Sequence, residues 1–548
     1  MPRCVLPGHS PSAMVKPASP RRHYVSVIWR AVVLTVGCTT VSAVDQVEWF
    51  GQGGATPAVQ QAIDLLAQAA ADGLDASDYR AEWLREAAGS NDSQSSNDER
   101  TDRLSAALTA AVRRYLADLH FGRVDPRRLG AGYRRASNGR FDVDALLRSA
   151  VAEERLPEAA ASVAPRWPQY ASLRQALARY RELADDAAWL KSLPALPGGK
   201  LGPGEQYTGL ALLQHRLELL GDLPPGSATA QRYTAPLVEA VRSFQLRHAE
   251  TPDGVIGKAT FDLLNIPPAA RVRQLELALE RLRWTPMPEG QRLIVVNLPE
   301  FMLDTYEVRG DKVDSKIAMK VIVGTAGKTQ TPLFDAEMRF IEFSPYWNVP
   351  PSIARGETLP RLRRDPGYFD RQGFEFVAGD GRVINGFSEE GLDAVQRGQL
   401  RIRQRPGAGN ALGDIKFVFP NQDNIYLHHT PTPQLFRRAR RDFSHGCIRV
   451  EEPVALARFV LAGEPEWTEE RIVQAMRKGK STTIRLQEEL PVIIAYHTAV
   501  VRAGRVHFLP DIYALDKPLE QALGKRSQSV QAEASQAGEL AAQSPAPR

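Results

Sequence analysis

Apolar side chains recur every three or four residues through the first part of the chain, from residue 45 to about residue 200. This spacing puts them on one helical face and predicts a helical region. The clearest stripe consists of Leu104, Leu108, Val112, Tyr115 and Leu119. The polar, low-complexity segment between Gly89 and Asp102 is predicted to be a disordered loop. We therefore expect a helical scaffold domain over residues 44–200, with a packing role.

A second helical unit follows a linker rich in proline and glycine. Thr208 is predicted to cap a helix that ends at Gly221. A second helix carries Leu237 and Phe244, and a glycine-containing turn leads to a short third helix at residues 260–264. The pattern predicts a small three-helix domain over residues 206–267.

After a connecting helix predicted within residues 268–291, the apolar positions change to a period of two, which is typical of strands. Strands are predicted at residues 293–298, 301–308, 316–323, 415–419, 424–427, 492–500 and 506–508. Residues 292–521 are expected to form a β-rich catalytic domain, and the polar tail 522–548 is expected to be disordered. The predicted fold class is multidomain α + β.

An insertion at about residues 345–413 interrupts these strands and lacks a steady period. A long irregular segment inside a compact domain is often a lid or a binding loop. Near its start, Trp347 and the adjacent Tyr346 either cover a substrate or pack the base of the insertion.

Length and charge limit the function classes. A chain of 548 residues is too long for one core, so three or four domains are expected. The formal net charge of +5 is small for this length, and without a nucleic-acid motif it argues against nucleic-acid binding. A mildly positive balance is compatible with an anionic polymer such as cell wall.

Two of the three cysteines, Cys4 and Cys38, lie in an N-terminal stretch with five basic residues and no acidic residue before Asp45. An apolar run at residues 31–37 and small residues at 41–43 predict a signal peptide over residues 1–43 and export to the periplasm. The alternative is an uncleaved leader that anchors the chain to the inner membrane, although the apolar run is shorter than the roughly 20 residues of a spanning helix. Cleavage would leave one cysteine and no internal disulfide.

The remaining cysteine, Cys447, lies in the run Ser-His-Gly-Cys-Ile-Arg-Val at residues 444–450. Cysteine attacks a carbonyl as thiolate, and a neighbouring imidazole can take its proton. Gly446 leaves room beside the sulfur for a substrate backbone. Arginines at positions 437, 438, 440, 441 and 449 would favour the thiolate and attract carboxylates, unless this run is only a solvated face. The pattern predicts a cysteine acyl-transfer site.

Two segments resemble known families. The unit at residues 206–267 resembles the peptidoglycan-binding domain in Ala240-Val241, Phe244-Gln245, Asp253-Gly254, Ile256-Gly257, Thr260 and Leu264-Asn265. Tyr426-x-His428-x-Thr430 and the run at residues 444–450 resemble the active-site signature of the L,D-transpeptidases, over about residues 293–519. The whole arrangement is similar to the larger exported Gram-negative members, whose catalytic domain carries a lid.

The resemblance implies roles for particular residues. Cys447 would be the nucleophile and His428, nineteen residues earlier, the general base. His445 and Gly446 would line the turn, and backbone N–H groups near them would stabilise the oxyanion. The residues expected to bind substrate are Tyr426, Arg449, Trp347 and Asn348.

Position 429 departs from the family pattern because it is a second histidine. Strand alternation places His429 on the opposite face from His428 and so favours His428 as the base. Single histidines and cysteines are more often structural, and two histidines with Cys447 could also bind zinc. No second cysteine or suitably placed carboxylate supports a metal, and no cofactor is expected.

The resemblance implies a 3→3 cross-linking reaction between peptidoglycan stem peptides through a Cys447 thioester. The expected partners are these stem peptides, the glycan and carbapenem inhibitors. The same site could instead serve an L,D-carboxypeptidase or an amide-exchange enzyme. A non-catalytic wall-binding scaffold is the alternative from another class, and a peptidoglycan-binding domain that only packs is the alternative for the second unit.

Overall fold

A computed structural model of the protein describes residues 47–52, 54–89, 97–133, 141–228, 230–287, 292–310 and 312–543. The predicted leader, with Cys4 and Cys38, lies outside the described residues. Within these ranges, no helix combines the length and the hydropathy that crossing a membrane requires.

The N-terminal region is helical, as predicted. Its helices span Pro57–Ala67, Ala81–Gly89, Asn97–Phe121, Val143–Ala152, Leu156–Val163 and Pro168–Ala184. All five residues of the predicted stripe are buried. The disordered loop predicted up to Asp102 is wrong from Asn97 onward, because the helix of the stripe starts there with Asp98 and Glu99 in its first turn. Acidic side chains stabilise a helix N-terminus.

A second group of helices forms a separate small core. These helices are Leu210–Leu219, Ala235–Arg247 and Lys258–Leu264, and they bury their own apolar cluster. Gln245 binds the connecting turn: its amide nitrogen donates to Asp253 Oδ1 at 2.8 Å, and its carbonyl oxygen accepts the Gly254 N–H at 2.8 Å. Thr208 does not cap the first helix, because the capping position is Gly209 and no side chain caps this end.

The helix Pro268–Trp284 connects this unit to a large mixed sheet. The sheet order is Ile415–Val418, Leu427–His428, Ile448–Val450, Lys312–Gly324, Met302–Arg309, Arg292–Asn297, Thr482–Ala495, Leu333–Phe343 and Ala131–Gly132. Asp442–Ser444 pairs with Lys312–Gly324. The path closes because Leu333–Phe343 also pairs with Ile415–Val418.

Other elements cover this sheet or extend it. The helices Pro453–Val460 and Glu469–Arg477 pack beside it, and Ala499–Arg502 pairs with Arg505–Phe508 in a separate hairpin. Ala131–Gly132 comes from the N-terminal region, so the helical region contributes a strand to the sheet. Residues 424–426 were predicted as strand but lie outside Leu427–His428. Together, the three regions confirm the predicted multidomain α + β class.

The insertion is not irregular, which corrects the prediction. It holds a four-stranded sheet and helices: the strands are Trp347–Asn348, Phe374–Ala378, Val383–Ile384 and Leu400–Gln404, and the helical segments are Pro351–Ile353, Ala354–Thr358, Leu359–Arg364, Tyr368–Arg371 and Glu389–Gln396. A separate apolar cluster fills it. Elements this short show too few turns for a period to be visible in the sequence.

The predicted disordered tail also needs correction. Asp516–Gln543 is a helix. Its residues Leu519 and Leu523 are buried in the main core. Further along, Arg526 Nη2 lies 2.5 Å from Asp118 Oδ1, so contacts with the N-terminal region order a segment whose composition is typical of disorder.

Candidate active site

Four adjacent strands place a row of polar residues on one face of the sheet. In register, Glu342 lies opposite Lys416, Lys416 opposite His428, and His428 beside Arg449. Residues in register share a face, whereas their neighbours along each strand face the other way. Those neighbours are apolar and fully buried, as Leu427 and Ile448 illustrate. The core on one face therefore orients the polar row on the other.

Cys447 lies one residue before the strand Ile448–Val450, beside Tyr426. The Ile448 N–H donates to the Tyr426 carbonyl at 3.1 Å, and this bond fixes the two segments side by side. The Cys447 sulfur lies 3.8 Å from the carbonyl oxygen of Asn424. The thiol is half-buried rather than enclosed in the core.

Burial dominates the charge state of the thiol. It raises the pKa of Cys447 above its ordinary value, although the backbone and hydroxyl of Tyr426, and then Lys416 and Arg449, act in the opposite direction. The thiolate expected from the arginine-rich sequence is therefore not the favoured resting state. The physical reason is that desolvation disfavours the charged form more than these cations favour it.

His428 is held as a neutral imidazole. Burial, followed by the charge of Arg449, lowers its pKa to about 3, against the hydrogen bonds that the ring makes to the backbone of His429 and Leu412. The ring nitrogen Nδ1 lies 2.5 Å from the carbonyl oxygen of His429. A carbonyl only accepts, so Nδ1 carries the hydrogen and, in the neutral ring, Nε2 is unprotonated. This tautomer is the one that a general base acting through Nε2 requires.

The second histidine has different surroundings. His429 Nδ1 lies 3.4 Å from the backbone nitrogen of Asp414 and 3.5 Å from its carboxylate. A Cβ on Gly413, which has a positive φ of 62°, would lie 2.6 Å from the same ring nitrogen. His429 thus packs on the Gly413–Asp414 turn, away from the polar row.

Hydroxyl groups fix the turn that presents Cys447. The Ser444 hydroxyl donates to the Cys447 carbonyl and accepts the Gly446 N–H at 3.1 Å. Thr329 Oγ1 donates to the Ser444 carbonyl at 2.9 Å, and Thr331 Oγ1 donates to the Gly446 carbonyl at 2.7 Å. Gly446 has a φ of 116°, which an L side chain rarely adopts. Glycine at this position is therefore a backbone requirement as well as a matter of access.

This network leaves few amides for an oxyanion. The Gly446 N–H is donated to Ser444, and the Ile448 N–H to Tyr426. The amides of His445 and Cys447 are the remaining donors that the turn offers.

The imidazole of His445 points outward from the turn. Its Nε2 lies 2.6 Å from Glu357 Oε1, and both side chains are exposed. Because Glu357 belongs to the insertion, this pair joins the insertion to the Cys447 turn. His445 is therefore close to Cys447 in the sequence, but its side chain contacts Glu357 of the insertion.

The other predicted site residues differ in position. Trp347 packs against the apolar cluster of the insertion, and Asn348 beside it is exposed. Tyr346 stacks with Arg403 of the insertion at 4.1 Å. These contacts match the packing alternative for Trp347. Arg449 is in the polar row, and its buried Nε has no hydrogen-bond partner among the described residues.

The arginine run before the turn has one buried side chain, Arg441, and three exposed ones, Arg437, Arg438 and Arg440. The guanidinium of Arg441 is buried and donates to the carbonyls of Val321 and Phe301, at 3.2 and 3.0 Å. Arg440 pairs with Asp442 at 2.6 Å. Arg441 therefore anchors the segment that leads to Cys447, whereas Arg440 is exposed and pairs within its own segment.

Sequence reasoning missed Lys416 and the loop before Tyr426. The Lys416 ammonium lies 4.3 Å from the centre of the Tyr426 ring and 3.7 Å from the Glu342 carboxylate. Asn421 orders the loop, donating to the carbonyls of Phe419 and Ile425 at 2.7 Å each. Lys416 lies between the apolar residues Ile415 and Phe417, and this alternation predicts that its side chain faces away from the core. Only the register between the strands shows that it lies beside His428.

Comparison with known proteins identifies the regions. Residues 291–474 match the family model described as "L,D-transpeptidase catalytic domain". The chain contains an L,D-transpeptidase catalytic domain. Residues 206–264 match "Putative peptidoglycan binding domain", and residues 44–177 match "Scaffold domain".

One curated relative and two solved structures are similar to the chain. A Haemophilus influenzae protein named "Putative L,D-transpeptidase" is 33% identical over 247 residues, which cover 45% of this chain and 49% of the relative. The chain thus spans about half the length of that relative. An L,D-transpeptidase structure from Stackebrandtia nassauensis is 13% identical, with 57% of this chain and 100% of that chain covered and a TM-score of 0.23. One from Xylanimonas cellulosilytica is 14% identical, with 55% and 99% covered and a TM-score of 0.16. These low TM-scores support no further inference.

Proposed function

We propose that the protein is a peptidoglycan L,D-transpeptidase that forms 3→3 cross-links through a Cys447 thioester, with His428 as general base. The observation that carries the proposal is the arrangement of Cys447, Tyr426, His428 and Arg449 on one sheet face, with the Nδ1–H tautomer of His428 fixed by a carbonyl. The proposed location is outside the cytoplasm, in the periplasm, because that is where peptidoglycan is found. The domain boundaries predicted from the sequence, including the lid at residues 345–413 but not the disordered tail, belong to the same proposal.

Acylation begins from the neutral thiol and the neutral imidazole. The sulfur attacks the carbonyl of the diamino acid at position three of a donor tetrapeptide stem, and its proton passes to His428 Nε2 as the C–S bond forms. The carbonyl oxygen becomes an oxyanion, which the amides of His445 and Cys447 and the Tyr426 hydroxyl stabilise. The C–N bond then breaks, and D-alanine leaves with the proton from the imidazolium.

Transfer reverses the proton path. The side-chain amine of a second stem attacks the thioester carbonyl and gives its proton to His428. The C–S bond breaks, the sulfur regains a proton, and an amide joins the two stems. Lys416 and Arg449 provide positive charge beside the site for carboxylates of either stem.

Acylation by a carbapenem tests the proposal. The intact mass of the full chain is expected to increase by one carbapenem adduct, mapped to Cys447, and this adduct is expected to be absent in Cys447→Ala. A folded wild-type protein that gains no mass would favour the non-catalytic scaffold instead.

Product analysis then separates transfer from hydrolysis. With purified tetrapeptide stems, the transpeptidase is expected to release D-alanine together with a cross-linked dimer. Release of D-alanine with tripeptide alone would identify an L,D-carboxypeptidase that uses the same acyl-enzyme.

A further inference from the structure

A second cavity lies away from the Cys447 turn. It has a volume of about 720 Å³, and its walls come from three regions. His248 and Ile266 belong to the three-helix unit and its exit, Arg271 to the connecting helix, and Phe301 and Phe508 to the catalytic domain. The cavity therefore occupies the junction where the peptidoglycan-binding match meets the L,D-transpeptidase domain.

Arg271 gives this cavity an unsatisfied positive charge. The residue is only 9% exposed, and its Nη1 donates to Gln274 Oε1 at 2.8 Å. Its guanidinium lies 4.6 Å from the centre of the Phe508 ring. Its Nη2 is buried and has no hydrogen-bond partner among the described residues. A buried N–H of a charged group without an acceptor is costly, so the position implies an acceptor that the protein itself does not supply.

The guanidinium keeps its charge at neutral pH. Burial lowers the pKa of Arg271 to about 10, with Tyr180 acting in the opposite direction and Arg247 adding to the decrease. The neighbouring His248 adds no charge, because burial, then Arg271 and Arg247, lower its pKa well below the ordinary value. The buried wall of the cavity thus carries the cation of Arg271, whose Nη2 has no acceptor among the described residues.

Each acidic side chain that lines the cavity has another partner within the protein. Asp516 lies 2.5 Å from Arg281 Nη1, and Asp511 accepts from the Tyr496 hydroxyl at 2.5 Å. Glu250 accepts from Thr260 Oγ1 at 2.6 Å, and Asp262 pairs with Lys258 at 2.6 Å. None of these carboxylates is paired with Arg271.

We propose that this cavity binds a free carboxylate of a peptidoglycan stem peptide, with Arg271 as its anchor. A carboxylate presents two acceptor oxygens to a guanidinium, and the aromatic walls cover the aliphatic part of a short peptide. The proposal rests on the proposed function for the identity of the peptide. It adds a second stem-binding site, separate from the active site. This second site could hold one stem peptide while another stem reacts at Cys447.

The cavity also touches the segment that leads to the reactive cysteine. Ala439 and Arg440 line it, and Arg440 pairs with Asp442 at the start of the strand Asp442–Ser444. The cavity and the active site are therefore connected by a short stretch of chain. Cys447, Tyr426 and His428 do not line the cavity.

Photo-labelling locates the bound peptide. The probe is the tetrapeptide stem carrying a diazirine at its N-terminus, added to the full chain with Cys447→Ala so that no turnover occurs. Peptide mapping is expected to find label at residues 266–277 or 508–512. Arg271→Met is expected to reduce this label roughly tenfold to a hundredfold, the range for losing hydrogen bonds to a charged partner.

Arg273 provides the matched control. It lines the same cavity from the same helix, but it is already paired with Glu276 at 3.0 Å and Glu520 at 3.1 Å. Arg273→Met is expected to change the label by less than about twofold, since a satisfied surface charge gives little. Arg271→Met is expected to melt at the same temperature as the parent or higher, because it removes an unpaired buried charge.

Three outcomes would overturn the proposal: label confined to residues 424–430 and 444–450, cavity label unchanged in Arg271→Met, or equal loss in Arg273→Met. If Arg271→Met does not fold, a probe with all carboxyls esterified is compared on the parent chain; undiminished cavity label would contradict a carboxylate site. Carbapenem acylation of Cys447 is measured separately in the active wild-type protein and is expected to occur there. Loss of acylation in the wild type would instead count against the proposed function.

Discussion

At Cys447 and His428 the same physical cause moves two pKa values in opposite directions. Burial raises the pKa of the thiol and lowers that of the imidazole to about 3, so both groups are neutral at rest. In the proposed reaction, proton transfer from Cys447 to His428 becomes favourable only as negative charge develops on the substrate oxygen. Such a site is protected from unproductive thiolate chemistry until a carbonyl occupies it.

His428→Gln is expected to slow acylation of Cys447 by a carbapenem at least about a hundredfold, since a positioned general base contributes roughly that much or more. The measurement is the second-order rate constant from time-resolved intact mass. His429→Gln is the matched control, because its ring contacts Asp414 instead, and it should stay within about threefold. Equal losses in both variants would refute the assignment of the base.

Tyr426→Phe is expected to raise the pKa of the Cys447 thiol further. The hydroxyl and backbone of Tyr426 are hydrogen-bond partners of the thiol that lower its pKa, and a donor to the charged form favours that form. The rate of alkylation by iodoacetamide, followed against pH, should therefore have a higher midpoint in the variant. Tyr346→Phe, in the insertion, should leave the profile unchanged; a lower midpoint in Tyr426→Phe would contradict the contact.

The sequence predicts which side chains of one strand share a face, but it does not predict which residues of different strands lie side by side. A period of two separates His428 from His429 without knowledge of the fold. Lys416 enters the polar row only through the register between its strand and Leu427–His428. The resting charge state also escaped the sequence, because the nearby arginines are visible there but the burial that outweighs them is not.

At the scale of elements, long periodic helices and strands were predicted, whereas the insertion and the tail were not. The connecting helix Pro268–Trp284 buries Leu275, Leu279 and Leu282 as its period predicts. The insertion instead gains its order from many short pieces around a shared core. The tail helix gains its order from a distant surface, which composition alone cannot reveal.

Arg526→Met is expected to destabilise the docking of the tail helix by about 1–3 kcal/mol. Its guanidinium is paired with the buried Asp118 and lies 3.8 Å from the Asp78 carboxylate, which is fully buried. Burial raises the pKa of Asp118 to about 6, and Arg526 acts against this increase. Losing the arginine would leave an under-compensated buried carboxylate.

Hydrogen exchange of residues 516–532, together with the melting temperature, measures this effect. Lys525→Met, one position earlier on the exposed side, is the control and should change neither quantity appreciably. Exchange in Arg526→Met that matches the control would show that the tail helix docks through its apolar residues alone.

At the scale of the molecule, the regions are joined by more than linkers. The strand Ala131–Gly132 extends the catalytic sheet, and the Tyr133 hydroxyl donates to the Ile494 carbonyl at 2.9 Å. On another side, Asp222 of the three-helix unit pairs with Arg505 of the catalytic hairpin at 2.5 Å. These contacts fix the position of the junction cavity, which is why its lining could not be read from the separate domains.

Buried neutral histidines make the whole molecule sensitive to acid. Burial, followed by the charge of Arg281, lowers the pKa of His497 to about 3, as burial and Arg449 do for His428. An unfolded histidine has a pKa of about 6.5, so the unfolded chain binds more protons and stability falls as pH decreases from about 6.5 toward 3. Each such histidine removes roughly 2 kcal/mol between pH 7.5 and pH 5.0.

His497→Leu should therefore lose less stability on acidification than the wild type, by about 2 kcal/mol between pH 7.5 and pH 5.0. The backbone of His497 keeps its bonds with Asn297 in the variant, because they do not involve the ring. Urea unfolding at the two pH values, followed by the same probe, gives the difference directly. If His497→Leu lost as much stability on acidification as the wild type, burial of His497 would not be a source of the acid sensitivity.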